Sequence, residues 1–230
     1  MSLYFGGTMQ TKVDHLVIAA TDIDRGVDYA ESLLGVQMPK GGVHEKMGTH
    51  NHLMQLGDAL FLEVIAINPQ GEPPTRPRWF GLDDPFVRAR LDREPAFLAW
   101  VVNTDDIHTL MAQSAISLGR AESVSRGDLN WQFGLPSDGR LLAGGMIPYV
   151  IQWGTGEHPA ARMADLGCRL IGLDIHHPYP EWIGAVLNSI GPVGMVQVHK
   201  AASGTPPYMT ASIDTPAGIR LLSSRQDKGC

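Results

Sequence analysis

Hydrophobic and polar positions change period several times along the chain, and the changes recur. Residues 12–22 read Lys-Val-Asp-His-Leu-Val-Ile-Ala-Ala-Thr-Asp. Val13, His15 and Val17 alternate with Asp14, Leu16 and Ile18, which predicts a short strand that becomes buried on both faces. Thr21 or Asp22 then caps a helix that runs to about Leu34 and stops at Gly35. His15 is the polar side chain on the inward-looking side of that strand. Gly41-Gly42 reads as a flexible connection and residues 44–47 as a short strand. Residues 50–56 alternate weakly and end at Gly57-Asp58, a hairpin signal. Residues 59–67 predict a buried strand interrupted by a single charge, Glu63.

The same order of elements returns twice. After a Pro-rich stretch (69–77) and a predicted short helix at 85–92, residues 96–102 predict a strand. Asp105-Asp106 supply caps for a helix to about Leu118, and strands follow at 122–126, 130–135 and 148–153. A more compact third copy has a strand at 168–176, a helix opened by Pro178 to Pro180 and closed near Gly191, and strands at 195–200, 209–214 and 219–223. Repetition at this scale outweighs any single motif. The expected organisation is a first βαβββ module (12–68), a Pro-rich connecting loop (69–95), a second βαβββ module (96–154) and a third compact module (168–223). Residues 1–8 read as an appended leader ahead of a native start at Met9.

Composition narrows the function. Charged residues make up 18% of the chain and the formal net charge is -6, with no clustered basic face of the kind nucleic acid requires. The apolar runs are too short to span a bilayer, and no signal peptide is visible at the start. The two cysteines, Cys168 and Cys230, make neither a disulfide framework nor a zinc pattern, so a reducing, cytoplasmic setting is expected. Cys168 reads as a small buried hydrophobe. Gly144-Gly145 follows no strand and opens no helix, so it predicts no phosphate loop.

The order of segments resembles the vicinal oxygen chelate superfamily, and within it the glyoxalase-like domain proteins. The resemblance is carried by Asp14-His15-Leu16-Val17-Ile18, Gly48-Thr49-His50-Asn51, Leu56-Gly57-Asp58, Phe61-Leu62-Glu63-Val64-Ile65-Ala66, Arg76-Pro77-Arg78-Trp79-Phe80-Gly81, the stretch from Trp100 through Asp106, and His176-His177-Pro178. It covers nearly all of residues 12–223. It implies an α+β fold of repeated βαβββ modules, whose curved antiparallel or mixed sheets carry helices outside. Such folds host many chemistries, so function rests on the site.

The resemblance implies a metal in the cup formed by paired modules, with ligands from the first and last strands of a module. His15 and Glu63 occupy those places. A carboxylate in an apolar strand is costly to bury unless it is paired or metal-bound, and imidazole with carboxylate suits Zn, Fe, Mn, Co or Ni. The bland reading is a hydrogen-bonded core histidine and a glutamate paired with a base. The second module offers Ala99 at the place of His15 and Gln152 near that of Glu63, and the third offers Ile171. A third strong ligand must therefore come from elsewhere. His50 and His52 share one strand face, with Asn51 on the other, and His52 is the expected donor. His176-His177 point opposite ways and are expected to stay out of the site. Trp100 and Trp153 read as core. Trp79, in the Pro-rich loop, reads as a lid, with Arg76 or Arg78 meeting an anionic substrate and Gln152 as a further contact.

Two functions stay open at this point. One is a metal-dependent enzyme of the lyase, isomerase or dioxygenase kind, in which the metal chelates oxygens of a small substrate. The other is a non-catalytic protein that binds a small molecule, a drug or toxin, in an aromatic pocket without metal. An odd number of modules in a superfamily that pairs them also leads us to expect a homodimer.

Overall fold

The computed structural model describes residues 11–191 and 194–225. The leader expected at residues 1–8, the start at Met9 and Cys230 lie outside them. The first strand, β1 (Lys12–Ala20), leads into helix α1 (Ile23–Leu34). Asp22 caps that helix by accepting from the backbone N–H groups of Asp24 and Arg25, and Gly35 ends it with φ 71. Three strands follow: β2 (Lys40–His44), β3 (Thr49–Gly57) and β4 (Leu60–Ile67). Gly41-Gly42 thus belongs to a strand rather than to a flexible connection, and residues 45–47 form a 3-10 turn rather than a strand.

The loop that follows includes helix α2 (Pro85–Leu91). Then come β5 (Ala96–Asn103), α3 (Ile107–Gln113), β6 (Arg120–Arg126), β7 (Leu129–Leu135) and β8 (Tyr149–Trp153). Helix α3 stops five residues before the expected Leu118. Ser114 turns out of the helix with ψ 134 and its hydroxyl accepts from the Ile116 N–H, the local competition that makes serine a poor helix interior.

These strands form one eight-stranded sheet in the order β2-β3-β4-β1-β5-β8-β7-β6. At its centre β1 pairs antiparallel with β5, and each is flanked by the parallel last strand of its own unit, β4 or β8. The sheet curls until its edges face each other: Arg126 at the end of β6 reaches His44 and Asn51 on the opposite side. Close approach there is the reason for the Gly pair. A Cβ on Gly41 would stand 2.2 Å from the Asn51 side-chain oxygen, and one on Gly42 would stand 3.3 Å from Arg126 Cδ.

The third unit runs β9 (Arg169–His177), α4 (Pro180–Ser189), β10 (Val196–Lys200), β11 (Tyr208–Thr215) and β12 (Gly218–Ser223). It has the same sequence of elements but another topology, β10-β9-β11-β12. Its first strand pairs in parallel with the second strand rather than the last, so β9 is an interior strand with no free edge for a partner module.

Two cores lie on opposite faces of the large sheet. On the outer face Leu16, Ile18, Leu62 and Trp100 pack with α1, α3, α4 and the inner side of the small sheet, including Ile175 and Met209. On the inner face Val17, Ile65, Ala99 and Val101 pack against Trp79, Phe80 and Leu82 of the Pro-rich loop. That loop is seated by the Gly81 N–H bond to the Gly139 carbonyl and by Phe80, buried edge-on to Tyr149 at 4.9 Å with a left-handed φ of 57. It fills one end of the inner face and leaves the other end hollow. The structure thus has mixed, curled sheets with four α-helices outside them among the described residues.

Because the outer core is continuous from the large sheet to the small one, the third unit cannot melt alone. Ile175→Ala should cost about 2–5 kcal/mol and lower the midpoint of a single thermal transition for the whole chain, read by calorimetry. A separate early transition for the third unit would contradict this.

Candidate functional site

The hollow is built around a β-bulge. Val13 pairs with Val102 and His15 with Val101, so Asp14 is the extra residue of β1. A bulge breaks the alternation of faces and lets consecutive side chains act together. Asp14 Oδ1 lies 2.6 Å from His15 Nδ1, and Asp14 Oδ2 accepts from Trp153 Nε1 at 2.8 Å, His158 Nε2 at 3.0 Å and Asn103 Nδ2 at 3.2 Å. Burial of this fully enclosed carboxylate would raise its pKa, but the hydrogen bonds and charges of His15 and His158 hold it well below the usual carboxylate range. The tautomers follow. His158 Nδ1 accepts from the Ala160 N–H, so its Nε2 carries the proton given to Asp14. His15 donates from Nδ1 and presents Nε2 to the hollow, its ring stacked on Phe61 at 4.5 Å.

Glu63 stands across from it, with Oε2 at 3.8 Å from His15 Nε2. Its other oxygen accepts from Asn51 Nδ2 at 2.6 Å. The Asn51 amide cannot be flipped, because its oxygen takes bonds from the Gly42 N–H (2.8 Å) and from Arg126 Nη1 (3.3 Å), both obligatory donors. Arg126 also donates to His44 Nε2 at 3.3 Å, so neutral His44 keeps its proton on Nδ1, 3.1 Å from the Thr49 hydroxyl. Burial, together with Arg126 and His15 nearby, pushes the His44 pKa down to about 3. His15, His44, Asn51, Glu63 and Arg126 line a cavity of about 460 Å³, its mouth included, with aromatic walls from Phe61, Trp79, Phe80, Trp131, Phe133 and Trp153.

His15 and Glu63 therefore meet, whereas the other residues singled out in the sequence are placed differently. His52 lies on the other face of β3, with Nδ1 3.0 Å from the Met38 carbonyl. Leu53 pairs with Glu63, so Leu53 and Asn51 face the cavity. A second bulge decides this: the register slips at Leu56, between Gln55↔Phe61 and Gly57↔Leu60, and one residue of slip exchanges the faces of the strand. Gln152 caps α3, accepting from the Ile107 N–H and donating to the Asp105 carbonyl, while Ile151 and Trp153 of β8 line the cavity. Arg78 is bound within its own loop, to Asp83 at 2.6 Å. Trp79 is 4% exposed and forms cavity wall, edge-on to His44 at 4.9 Å, so the loop aromatics have a core to join after all. Trp153 is a site residue rather than plain core. Asp14, Asn51, His158 and Arg126 were missed. Asp14 could have been suspected, as a charge inside a strand read as buried on both faces.

The match to a family model now has a site to go with it: the glyoxalase-like domain model covers residues 13–190. The chain belongs to the glyoxalase-like domain family. Among solved structures, it is similar to a hypothetical protein from Staphylococcus aureus, with 13% identity and a TM-score of 0.56 over 96% of this chain and 87% of that one. A methylmalonyl-CoA epimerase from Mycobacterium tuberculosis matches at 17% identity and a TM-score of 0.40, over 69% of this chain and 97% of that one. Among curated proteins no match is found. The fold is thus that of a glyoxalase-like domain, the family that the segment order resembled.

The resemblance in the sequence implied a metal, and the donors answer that question. This glyoxalase-like chain offers His15 Nε2 and Glu63 Oε2, and the strand register puts Ala99 and Tyr149 at the corresponding positions of its second half, with the Tyr149 hydroxyl given to the Arg140 carbonyl. Among the described residues no group of three or more His, Cys, Asp or Glu is placed to hold a metal ion. The Arg126 guanidinium also lines the same cavity. Two donors beside a fixed cation do not fit a resident zinc ion or a similar transition metal, whose open sites use three protein ligands.

The depressed His44 pKa links stability to pH. The unfolded chain protonates this histidine near pH 6.5, the folded chain only near 3, so between the two the unfolded state binds more protons. Stability should be complete above about pH 6.5 and fall on acidification, by up to about 1.4 kcal/mol per pH unit from this group. Urea unfolding from pH 8 to 4 would measure the slope, and His44→Gln should flatten it.

Proposed function

We propose that this protein is a small-molecule enzyme of the proton-transfer kind, an isomerase or lyase, that works without a metal-bound step. His15 is its base. One observation supports this above the others: the Nδ1–H of His15 is held at 2.6 Å by a buried carboxylate, which leaves the Nε2 lone pair facing an aromatic cavity. A carboxylate behind imidazole fixes the tautomer and stabilises the imidazolium that forms on accepting a proton. Here the new positive charge lies between Asp14 and Glu63, 3.8 Å away. Trp153 and His158 hold Asp14 in place, and Asn51 holds Glu63. The aromatic walls exclude water and give an oxygenated substrate with an acidic C–H an apolar bed.

The six aromatic rings of that wall also favour a second reading, a binding protein without chemistry. Solvent-deuterium exchange separates the two. Small ketones, 2-oxo acids and 1,3-dicarbonyls are incubated with the protein in D2O and followed by proton NMR. We expect catalysed exchange in at least one of them, about 10²–10⁴-fold slower in His15→Asn and slowed also in Asp14→Asn. Treatment with a chelator should leave the rate unchanged. Exchange equal in wild type and His15→Asn, or binding with no exchange at all, would leave the binding protein in front.

A homodimer belongs to the same proposal. Ile171 on β9 and Ile219 and Leu221 on β12 are more than half exposed, an apolar face that a second chain would cover. Sedimentation at micromolar concentration should give a dimer, and a clean monomer would end this part of the reading.

A further inference from the structure

Arg76 and Arg78 of the Pro-rich loop each have a carboxylate partner, whereas Arg126, the arginine in the cavity lining, makes no ion pair among the described residues. Its bonds run from Nη1 to His44 Nε2 and Asn51 Oδ1, two neutral acceptors at 3.3 Å. Nε and Nη2 are left without a partner among the described residues, on a half-buried side chain that lines the aromatic cavity. A guanidinium does not lose its proton in a protein, so it carries its full charge among these walls. The same wall has a second unused donor: the Trp79 indole Nε1 is buried without a partner among the described residues, and that ring stands edge-on to His44.

Arg126 also stands where two spaces join. A neighbouring hollow lined by Pro39, Lys40, Leu129 and Met163 shares Leu53, Arg126 and Pro159 with the cavity. The guanidinium thus borders both spaces, and His15 lines the inner one with it. The charges limit what it can hold. A single cation lies in the cavity wall, and Glu63 is one residue away through Asn51. With that carboxylate so near, a ligand of one negative charge meets less repulsion than a ligand of two. A planar group with two oxygens suits the guanidinium fork.

We propose that the ligand of this cavity is an organic monocarboxylate, its carboxylate on Nε and Nη2 of Arg126 and its apolar or aromatic body against Trp79, Trp131 and Phe133. This rests on the proton-transfer reading only for the fate of the ligand: in a 2-oxo acid held in that way, His15 would exchange the C–H next to the ketone.

Isothermal titration of the full chain tests it with matched pairs: phenylacetate and phenylacetamide, phenylpyruvate and phenylacetone, 4-methyl-2-oxopentanoate and its methyl ketone analogue. In at least one pair the acid should bind about 10–100-fold more tightly, the range of a charge-assisted contact, and Arg126→Gln should bring acid and neutral partner to parity. Arg126→Lys keeps the charge but not the fork and should lose several-fold for the acid alone. Thermal midpoints of the variants report folding, and the neutral partners report an intact cavity. No acid outbinding its partner in wild type, a preference kept in folded Arg126→Gln, or phenylphosphonate binding more tightly than phenylacetate would overturn the proposal. His15→Asn separates the two readings: acids bound as in wild type with no deuterium exchange in either protein would sink the proton-transfer reading alone. Exchange of neutral ketones with no acid preference would sink this one alone.

Discussion

The site depends on one buried carboxylate. Asp14 sits at a bulge in the central strand of the large sheet, and its two oxygens gather donors from four parts of the chain: His15 beside it, Asn103 at the end of β5, Trp153 at the end of β8 and His158 in the following turn. Enclosing an ionised carboxylate costs several kcal/mol, and charge-assisted hydrogen bonds of about 1.5–3 kcal/mol each are what offset it. The same bonds define the chemistry. They fix the tautomer of His15, draw the two halves of the large sheet together at their junction and place an indole over the cavity.

A second constraint is closure. The eight-stranded sheet has free edges at β2 and β6, and these are joined by side chains rather than by a backbone ladder. Arg126 crosses the gap, and the glycine pair in β2 makes room for it and for Asn51. The closing group is therefore also a cavity group, so the part of the fold that completes the cup supplies a charge to whatever the cup holds. At the other end of the inner face, Trp79, Phe80 and Leu82 plug the space with a loop. The hollow is what remains between plug and cross-link.

The third unit shows how little a repeated order of elements constrains pairing. Its strand-helix-three-strand sequence matches that of the first two units, yet β10 takes the place beside β9 that the last strand takes in them. With β9 flanked on both sides, the unit cannot add a module to the large sheet and packs on its outer face instead, where Ile175 and Met209 extend the core.

Local signals in the sequence settled the elements and the family. Alternation at 12–20, the Asp22 and Gly35 caps and the apolar run around Glu63 are read from neighbours in the chain, and a strand or a cap is made by neighbours. His15 and Glu63 were legible for the same reason, each a lone polar residue in an apolar strand. Tertiary structure alone decided which other residues joined them. The bulge at Asp14 brought a second carboxyl group to His15, and the slip at Leu56 turned Asn51 inward and His52 outward. A bulge is a property of two strands paired in register, so a side-chain period of two read along one strand cannot contain it. Arg126 and His158 lie 111 and 143 residues from His15 in the chain, 126 - 15 and 158 - 15. Only the curl of the sheet and the return of the chain past β8 bring them to it.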